Sequence, residues 1–140
     1  MSNFELWNDK YLFCKMKKII NITGAPQPIG PYNQAIKKGN TLFVSGQIPM
    51  IPKTGELITG DIKPQTVQVM ENLKAILQEA SMTFDQVVKV SIFLSDMNNF
   101  AAINEIYGSY FTGDYPARET VQVAGLPKNV DVEISLIAID

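Results

Sequence analysis

The apolar segment at the end of the chain restricts the fold more than any other feature of the sequence. Residues 130–139 alternate as a strand does, yet both sets of side chains are apolar, with Val132 and Ile134 on one side and Ile137 and Ile139 on the other. A strand of this composition is covered on both faces. If helices cover only one face of the sheet, the apolar remainder predicts a subunit interface; the alternative is a strand covered within its own monomer.

Periodicity places the other elements. We predict strands at 20–23, 35–38, 41–45, 87–94, 120–124 and 130–139, and helices from about 61 to 80 and from about 98 to 111. Gly39 and Asn40 predict a two-residue hairpin turn, and Asp61 is the expected cap of the first helix. Alternation puts Val88 on the same face as Val90. Strands that alternate with two helices predict an α+β domain in which the helices cover one face of a mixed sheet.

Residues 1–15 are predicted to be an N-terminal extension to a single domain, residues 16–140. The extension contains the only tryptophan and the only cysteine and has no clear periodicity. Two hypotheses stay open: Met16 is the native start, or the extension is an arm that packs its apolar side chains on a neighbour. The chain has no apolar run near the roughly 20 residues that span a bilayer and no secretory leader, so we expect a cytoplasmic protein without a membrane partner.

Composition excludes several kinds of chemistry. The chain has no histidine and one cysteine, Cys14, which excludes a Ser-His or Cys-His nucleophile and a thiolate zinc site. The formal net charge is −2, and Arg118 is the only arginine. We expect no nucleic-acid partner, because binding to a phosphate backbone depends on clustered positive charge.

Two charged residues near the C-terminus are candidates for chemistry. Arg118 follows Pro116, whose fixed φ limits where the guanidinium points. A fixed arginine is suited to hold a carboxylate or phosphate by two parallel hydrogen bonds; an ion pair between strands is the other interpretation. Glu133 lies within an apolar strand, where a carboxylate without a partner is costly to desolvate.

The position of Glu133 relative to Arg118 depends on how the last two strands pair. If 120–124 and 130–139 pair as a hairpin around the Pro127 loop, Glu133 lies opposite the Thr120 region and close to Arg118. The result is either a buried ion pair or an acid–base group beside an anion site.

Three further polar residues are weaker candidates. Tyr32 and Ser45 belong to glycine-containing loops that follow short strands, where loops commonly wall a pocket; simple turns are the alternative. Asn104 lies on the polar side of the second helix and is interpreted as solvent-facing.

Several separated motifs occur in a specific order. They are AP at 25–26, IGPY at 29–32, LFVSGQIP at 42–49, TGE at 54–56, NLKAIL at 72–77, FLSDMNNFAAIN at 93–104, PAR at 116–118, LPK at 126–128 and VEI at 132–134. In these motifs the chain resembles the RidA (YjgF/YER057c/UK114) family of reactive-intermediate deaminases from about residue 19 to residue 139.

The resemblance implies a chorismate-mutase-like (YjgF/L-PSP) α+β fold, assembled as a homotrimer with a pocket at each subunit interface. It implies hydrolysis of 2-imino acids and their enamine tautomers, such as 2-aminoacrylate, to 2-oxo acids and ammonia, without a cofactor or metal. One alternative is a trimeric sensor that binds 2-oxo acids without catalysis. Another is the endoribonuclease activity attributed to some relatives, which the lack of histidine and of a basic patch disfavours.

The resemblance also implies a role for each candidate residue. Arg118 binds the substrate carboxylate, and Glu133 holds or activates the attacking water. Tyr32 closes over the substrate and Ser45 lines it. Asn104 matches a further pocket position.

The chain departs from the family pattern at three positions. Thr120 stands where the family usually has cysteine, and backbone groups near it would complete the polar wall of the pocket. Glu119 stands where a small serine is common, and Gly125 replaces a frequent arginine. Neighbours on a strand point to opposite faces, so the charge of Glu119 is expected to point away from the anion site.

Overall fold

The computed structural model describes residues 2–3 and 16–140. Apart from residues 2 and 3, the N-terminal extension and the hypotheses about it lie outside the described residues.

The described chain forms one six-stranded mixed sheet and two α-helices. The strands are β1 (Lys18–Ile20), β2 (Ala35–Lys38), β3 (Thr41–Gln47), β4 (Val87–Leu94), β5 (Ala117–Gln122) and β6 (Val132–Ile139), and the helices are α1 (Ile62–Glu79) and α2 (Phe100–Ser109). Their order across the sheet is β1-β2-β3-β6-β4-β5, and every neighbouring pair is antiparallel except the parallel pair of β4 and β5. Gly39, at a φ of 59°, begins the predicted two-residue turn between β2 and β3.

Both helices cover the same face of the sheet, as predicted. Asp61 caps α1 by accepting a hydrogen bond from the Lys63 backbone N–H at 3.0 Å. Leu73 of α1 and Ile103 of α2 belong to one core, in which they meet inward side chains of the strands such as Ile134. No helix in the described residues is long and apolar enough to cross a bilayer.

The opposite face of the sheet carries no helix from the described part of the chain, and we call it the helix-free face. Its apolar side chains include Ile19, Ile36, Phe43, Phe93, Val121, Ile137 and Ile139. Phe43 remains 48% exposed and Ile139 41% exposed. Exposed apolar surface of this kind is consistent with the predicted subunit interface.

The predicted hairpin of the last two strands is wrong. β5 pairs with one edge of β4, where Arg118 lies opposite Val90, and β6 pairs with the other edge, where Glu133 lies opposite Phe93. β4 therefore separates the two strands that the sequence suggested were neighbours.

Hydrogen bonds at the end of β4 explain this crossover. Val123 donates its backbone N–H to the carbonyl of Leu94 at 2.9 Å, and Ser95 donates to the carbonyl of Asp131 at 3.1 Å. β4 and the residues directly after it thus take up backbone groups that a β5–β6 hairpin would have paired with each other.

The predicted facing of one β4 side chain is also wrong. Val88 is 43% exposed, whereas Val90 is buried. The pairing of β4 with β6 shifts register between Val87 and Lys89, and this irregularity breaks the alternation.

β1 ends at Ile20, earlier than predicted, because the buried side chain of Gln34 replaces strand pairing in the segment that follows. Its Oε1 accepts from the Ile22 N–H at 2.6 Å. Its Nε2 donates to the carbonyls of Ile22, Ala25 and Pro26 at 2.9, 3.0 and 2.8 Å. One side chain thus fixes the loop that precedes β2.

Replacement of this glutamine tests its structural role. Gln34→Leu is expected to lower the free energy of unfolding by about 2–4 kcal/mol, because it leaves backbone groups unpaired in a buried site. Urea denaturation measures the change, and Gln78→Leu on the exposed side of α1 is the control, expected to change stability by less than about 0.5 kcal/mol. Equal stability of the two variants would contradict this account of the loop.

Candidate active site

A cavity of about 430 Å³ contains three of the predicted site residues, Tyr32, Ser45 and Glu133. We call it the glutamate cavity. The rest of its wall is apolar at Pro26, Ile29, Ile48, Met50 and Pro127 and polar at Gln27, Gln34 and Gln47. The Glu133 carboxylate faces this space, and the apolar part of the wall cannot solvate it.

Glu133 has no hydrogen-bond or ionic partner among the described residues. Its side chain is half-buried, and this desolvation raises the pKa of the carboxyl above its usual value of 4.5. A carboxylate in this state favours a proton or a hydrogen-bonded water molecule over remaining unsolvated. A desolvated, unpartnered carboxyl in a cavity is a candidate acid–base group.

Ser45 and Tyr32 shape the cavity through hydrogen bonds to nearby backbone. The Ser45 hydroxyl donates to the Asn33 carbonyl at 2.6 Å, so this hydroxyl presents lone pairs rather than a proton to a ligand. The Tyr32 hydroxyl accepts from the Ile29 N–H at 3.3 Å, and the Tyr32 side chain stays 47% exposed at the cavity. Tyr32 is thus placed to cover a ligand.

A second cavity of about 340 Å³ is lined by Arg118, Asn104, Tyr107, Tyr115 and neighbouring backbone. We call it the arginine cavity. It contains Arg118 and Asn104 of the predicted site residues, and neither of these lines the glutamate cavity.

One side of α2 holds the Arg118 guanidinium. Its Nη1 donates to Asn104 Oδ1 at 2.7 Å. Its Cζ lies 5.0 Å from the centre of the Tyr107 ring and 5.6 Å from that of Phe100. Both distances fall in the range of cation–π attraction. The other guanidinium N–H groups have no acceptor within residues 2–3 and 16–140, so they are available to an anion.

Asn104 is therefore not solvent-facing. It accepts the Arg118 hydrogen bond and orients the guanidinium, which the sequence did not indicate.

Tyr107 has a hydroxyl that is buried and without a partner among the described residues. Burial raises its pKa to about 12, although the Arg118 charge opposes the shift. The phenol is thus neutral, and its ring contributes the cation–π contact.

Thr120 and Glu119 point to opposite sides of β5. The Thr120 hydroxyl is buried and has no hydrogen-bond partner in the described part of the chain. Glu119 accepts a hydrogen bond from Ser91 at 2.9 Å and forms an ion pair of 2.6 Å with Lys89, contacts that lower its pKa. Its negative charge is thereby directed to the helix-free face, away from Arg118, as expected.

The two cavities cannot form one site within a single chain. Arg118 lies opposite Val90, on the face that the helices cover, and Glu133 lies opposite Phe93, on the helix-free face. A sheet separates the guanidinium from the carboxylate. The predicted proximity of the two charges is wrong for one copy of the chain.

The described residues contain no group of three His, Cys, Asp or Glu side chains arranged to hold a metal ion.

Comparison with known proteins identifies the family of the chain. Residues 22–140 match the family model described as Endoribonuclease L-PSP. The chain belongs to the L-PSP (RidA) family. This confirms the resemblance seen in the sequence motifs.

Three members of the L-PSP family illustrate the similarity. The chain is 56% identical to a RutC family protein of Pyrococcus horikoshii over 123 residues, which cover 88% of this chain and 98% of that protein. It is 46% identical to a 2-iminobutanoate/2-iminopropanoate deaminase of Dermatophagoides farinae, with 88% and 96% covered. The crystal structure of E. coli TdcF with bound serine has a TM-score of 0.84 to this chain at 44% identity, with 88% and 98% covered.

Sequence reasoning missed four residues that shape the two cavities or hold their charged groups. Phe100 and Tyr107 appeared only as apolar positions of a helix, although their spacing of four before and three after Asn104 could have indicated a shared face. Gln34 and Gly46 gave no sequence signal, because their roles depend on contacts with other segments.

The unpaired hydroxyl of Tyr107 leads to a stability prediction. Tyr107→Phe is expected to leave the free energy of unfolding unchanged or to raise it by up to about 1 kcal/mol, because the substitution removes an unsatisfied buried hydroxyl. Tyr110→Phe is the matched control: it loses a hydrogen bond of 2.8 Å to Glu71 and is expected to cost about 1 kcal/mol. Thermal and urea unfolding measure both. Marked destabilisation by Tyr107→Phe would mean that the hydroxyl is hydrogen-bonded in solution.

Proposed function

We propose that this protein is a cytoplasmic enzyme that hydrolyses 2-imino acids and their enamine tautomers, such as 2-aminoacrylate, to 2-oxo acids and ammonia, without a cofactor or metal. The observation that carries the proposal is Glu133, a half-buried carboxylate without a partner among the described residues, in a largely apolar cavity. The similarity to the 2-iminobutanoate/2-iminopropanoate deaminase of Dermatophagoides farinae supports the same reaction class.

The proposed reaction adds water to a carbon–nitrogen double bond. Glu133 accepts a proton as the oxygen of water bonds to the imine carbon, and the C=N π electrons move to nitrogen. Both protons of the water reach that nitrogen, the first through Glu133 and the second as the hydroxyl oxygen forms the carbonyl of the 2-oxo acid, and the nitrogen leaves as ammonia. The sum is one imino acid and one water to one oxo acid and one ammonia.

Arg118 supplies the other half of the site. Its free N–H groups match the two oxygens of the substrate carboxylate, and α2 keeps the guanidinium in place before the substrate arrives. Imines already react with water unaided, so positioning and electrostatics are sufficient for a useful acceleration. Neither step requires a histidine.

The remaining predicted site residues have supporting roles in the proposal. Tyr32 covers the bound substrate, and Ser45 accepts a hydrogen bond from the iminium N–H, because its own proton is bonded to Asn33. Asn104 acts through Arg118, and backbone groups near Thr120 border the carboxylate.

A complete site requires two copies of the chain, because Arg118 and Glu133 lie on opposite faces of one sheet. We place the β5 edge of one copy against the helix-free face of the next, so that Arg118 approaches the neighbouring glutamate cavity. A contact between two different surfaces closes into a ring when its rotation is a whole fraction of a turn, and we propose closure as a homotrimer. Phe43 and Ile139 are exposed in the single chain, and apolar side chains of this size support burial of the face in the assembly.

An assay of imine loss tests the activity. Imines are generated in situ by an amino acid oxidase, and their decay is followed with and without the protein. Arg118→Ala and Glu133→Gln are each expected to lower kcat/KM by at least about a hundredfold, the usual scale for a lost positioning or proton-accepting group. Activity should fall on the acid side as pH drops through the raised pKa of Glu133, because protonation removes the base.

The control is Lys74→Ala, which removes an exposed positive charge from α1 and should leave the rate unchanged. Full activity of Arg118→Ala would overturn the assignment of the carboxylate site. Binding of 2-oxo acids without acceleration would favour the sensor instead, and cleavage of RNA in a parallel assay would favour the endoribonuclease.

Mixing of inactive variants tests whether the site is shared between copies. Arg118→Ala and Glu133→Gln chains, each inactive alone, are dissociated together and reassembled. Equal mixing should restore about a quarter of wild-type activity, because a site is intact only where one kind of chain supplies Arg118 and its neighbour of the other kind supplies Glu133.

No recovery after confirmed exchange of subunits would show that each site is built within one chain. The size of the assembly, measured by light scattering, provides the independent check on the trimer.

A further inference from the structure

Gly46 lies directly against the Glu133 side chain. A Cβ atom built on Gly46 would lie 2.7 Å from Glu133 Cδ, 2.8 Å from its Oε1 and 2.9 Å from its Cγ. Real Cβ atoms essentially never approach other atoms this closely. Any other residue at position 46 must therefore displace the carboxyl group.

The local fold produces this close approach. Between Val44, opposite Leu136, and Gln47, opposite Ile134, the pairing of β3 with β6 shifts register, so that Ser45 and Gly46 form a bulge. Bulges occur frequently beside active sites, where they redirect side chains.

The contact involves the movable part of Glu133. The backbone of Glu133 is fixed by pairing opposite Phe93, whereas the crowded atoms are the end of a flexible side chain. Substitution of Gly46 would thus move the carboxylate at little cost to folding.

We propose that Gly46 is a positioning residue of the reaction: the absence of its side chain selects the Glu133 conformer that aims the carboxylate into the glutamate cavity. The effect on catalysis rests on the proposed function, whereas the contact between position 46 and the Glu133 side chain can be tested without an activity assay. The glycine is required here for space, since its φ is not among the positive values of the described glycines.

Gly46→Ala is the test. We expect a folded protein whose kcat falls on the order of tenfold to a hundredfold while KM changes less than about threefold, because Arg118 still binds the substrate and only the proton acceptor is misplaced. We also expect the carboxyl of Glu133, followed by NMR, to titrate at lower pH than in the wild type, because the displaced group regains water. The acid limb of the residual rate should move to lower pH with it.

The control is Gly125→Ala, at a position with open space around the added Cβ, and it should change none of these quantities. A structural role of Gly46 alone would not move the titration of Glu133.

A second comparison covers the case in which Gly46→Ala folds poorly. In a Glu133→Ala background the crowding is removed, so Gly46→Ala should no longer lower the melting temperature. The proposal is overturned if Gly46→Ala leaves the Glu133 titration and kcat unchanged. It is also overturned if the alanine destabilises the protein equally in both backgrounds, which would mean that the backbone requires glycine. If no variant hydrolyses imines, the proposed function fails, while the titration and the melting temperatures still decide the contact.

Discussion

The position of β4 between β5 and β6 is the constraint on which the site depends. Arg118 pairs with Val90 and Glu133 pairs with Phe93, and these two partners are three residues apart on β4. Because side chains alternate along a strand, an odd separation places them on opposite faces. The Arg118 guanidinium therefore lies on the face that the helices cover, and the Glu133 carboxylate lies on the helix-free face. A reaction that uses both groups must recruit the second from another copy.

Different contacts position Arg118 and Glu133. On the helix side, Asn104 and two aromatic rings of α2 fix the guanidinium. On the other side, the bulge in β3 leaves room for the Glu133 carboxyl. This carboxyl receives no compensating contact from the described chain, so its burial opposes folding above its pKa. The raised pKa means that the folded state binds the proton more tightly than the unfolded state, and stability falls as pH rises through that range. Unsatisfied groups of this kind are usual where function and stability conflict.

Local signals in the sequence located the helices and strands, with shifted ends for β1 and β5, but not the arrangement of the strands. α1 was predictable because Asp61 supplies a cap and the apolar positions repeat at helical spacing over its whole length. The β2–β3 turn followed from Gly39.

The pairing of β5 was not predictable. The loop between β5 and β6 has a composition that suits a tight hairpin of the two strands and equally a connection that crosses β4. The early end of β1 depends on Gln34, whose side chain bonds to backbone twelve residues away in sequence. The site residues were found largely through the family resemblance, whereas their division between two faces required the sheet order.

A site divided between copies also explains how a single chain can carry both charges without an excessive penalty. Arg118 is satisfied in part by Asn104 and by cation–π contacts, and Glu133 remains only half-buried, so neither charge is sealed from water in one copy. Assembly would remove that water from both groups at once, and in the absence of water the electrostatic attraction between guanidinium and substrate carboxylate becomes stronger. In the proposed assembly the catalytic environment would be a property of the interface. Because association is concentration-dependent, the proposed activity should depend on the same equilibrium that buries the apolar helix-free face.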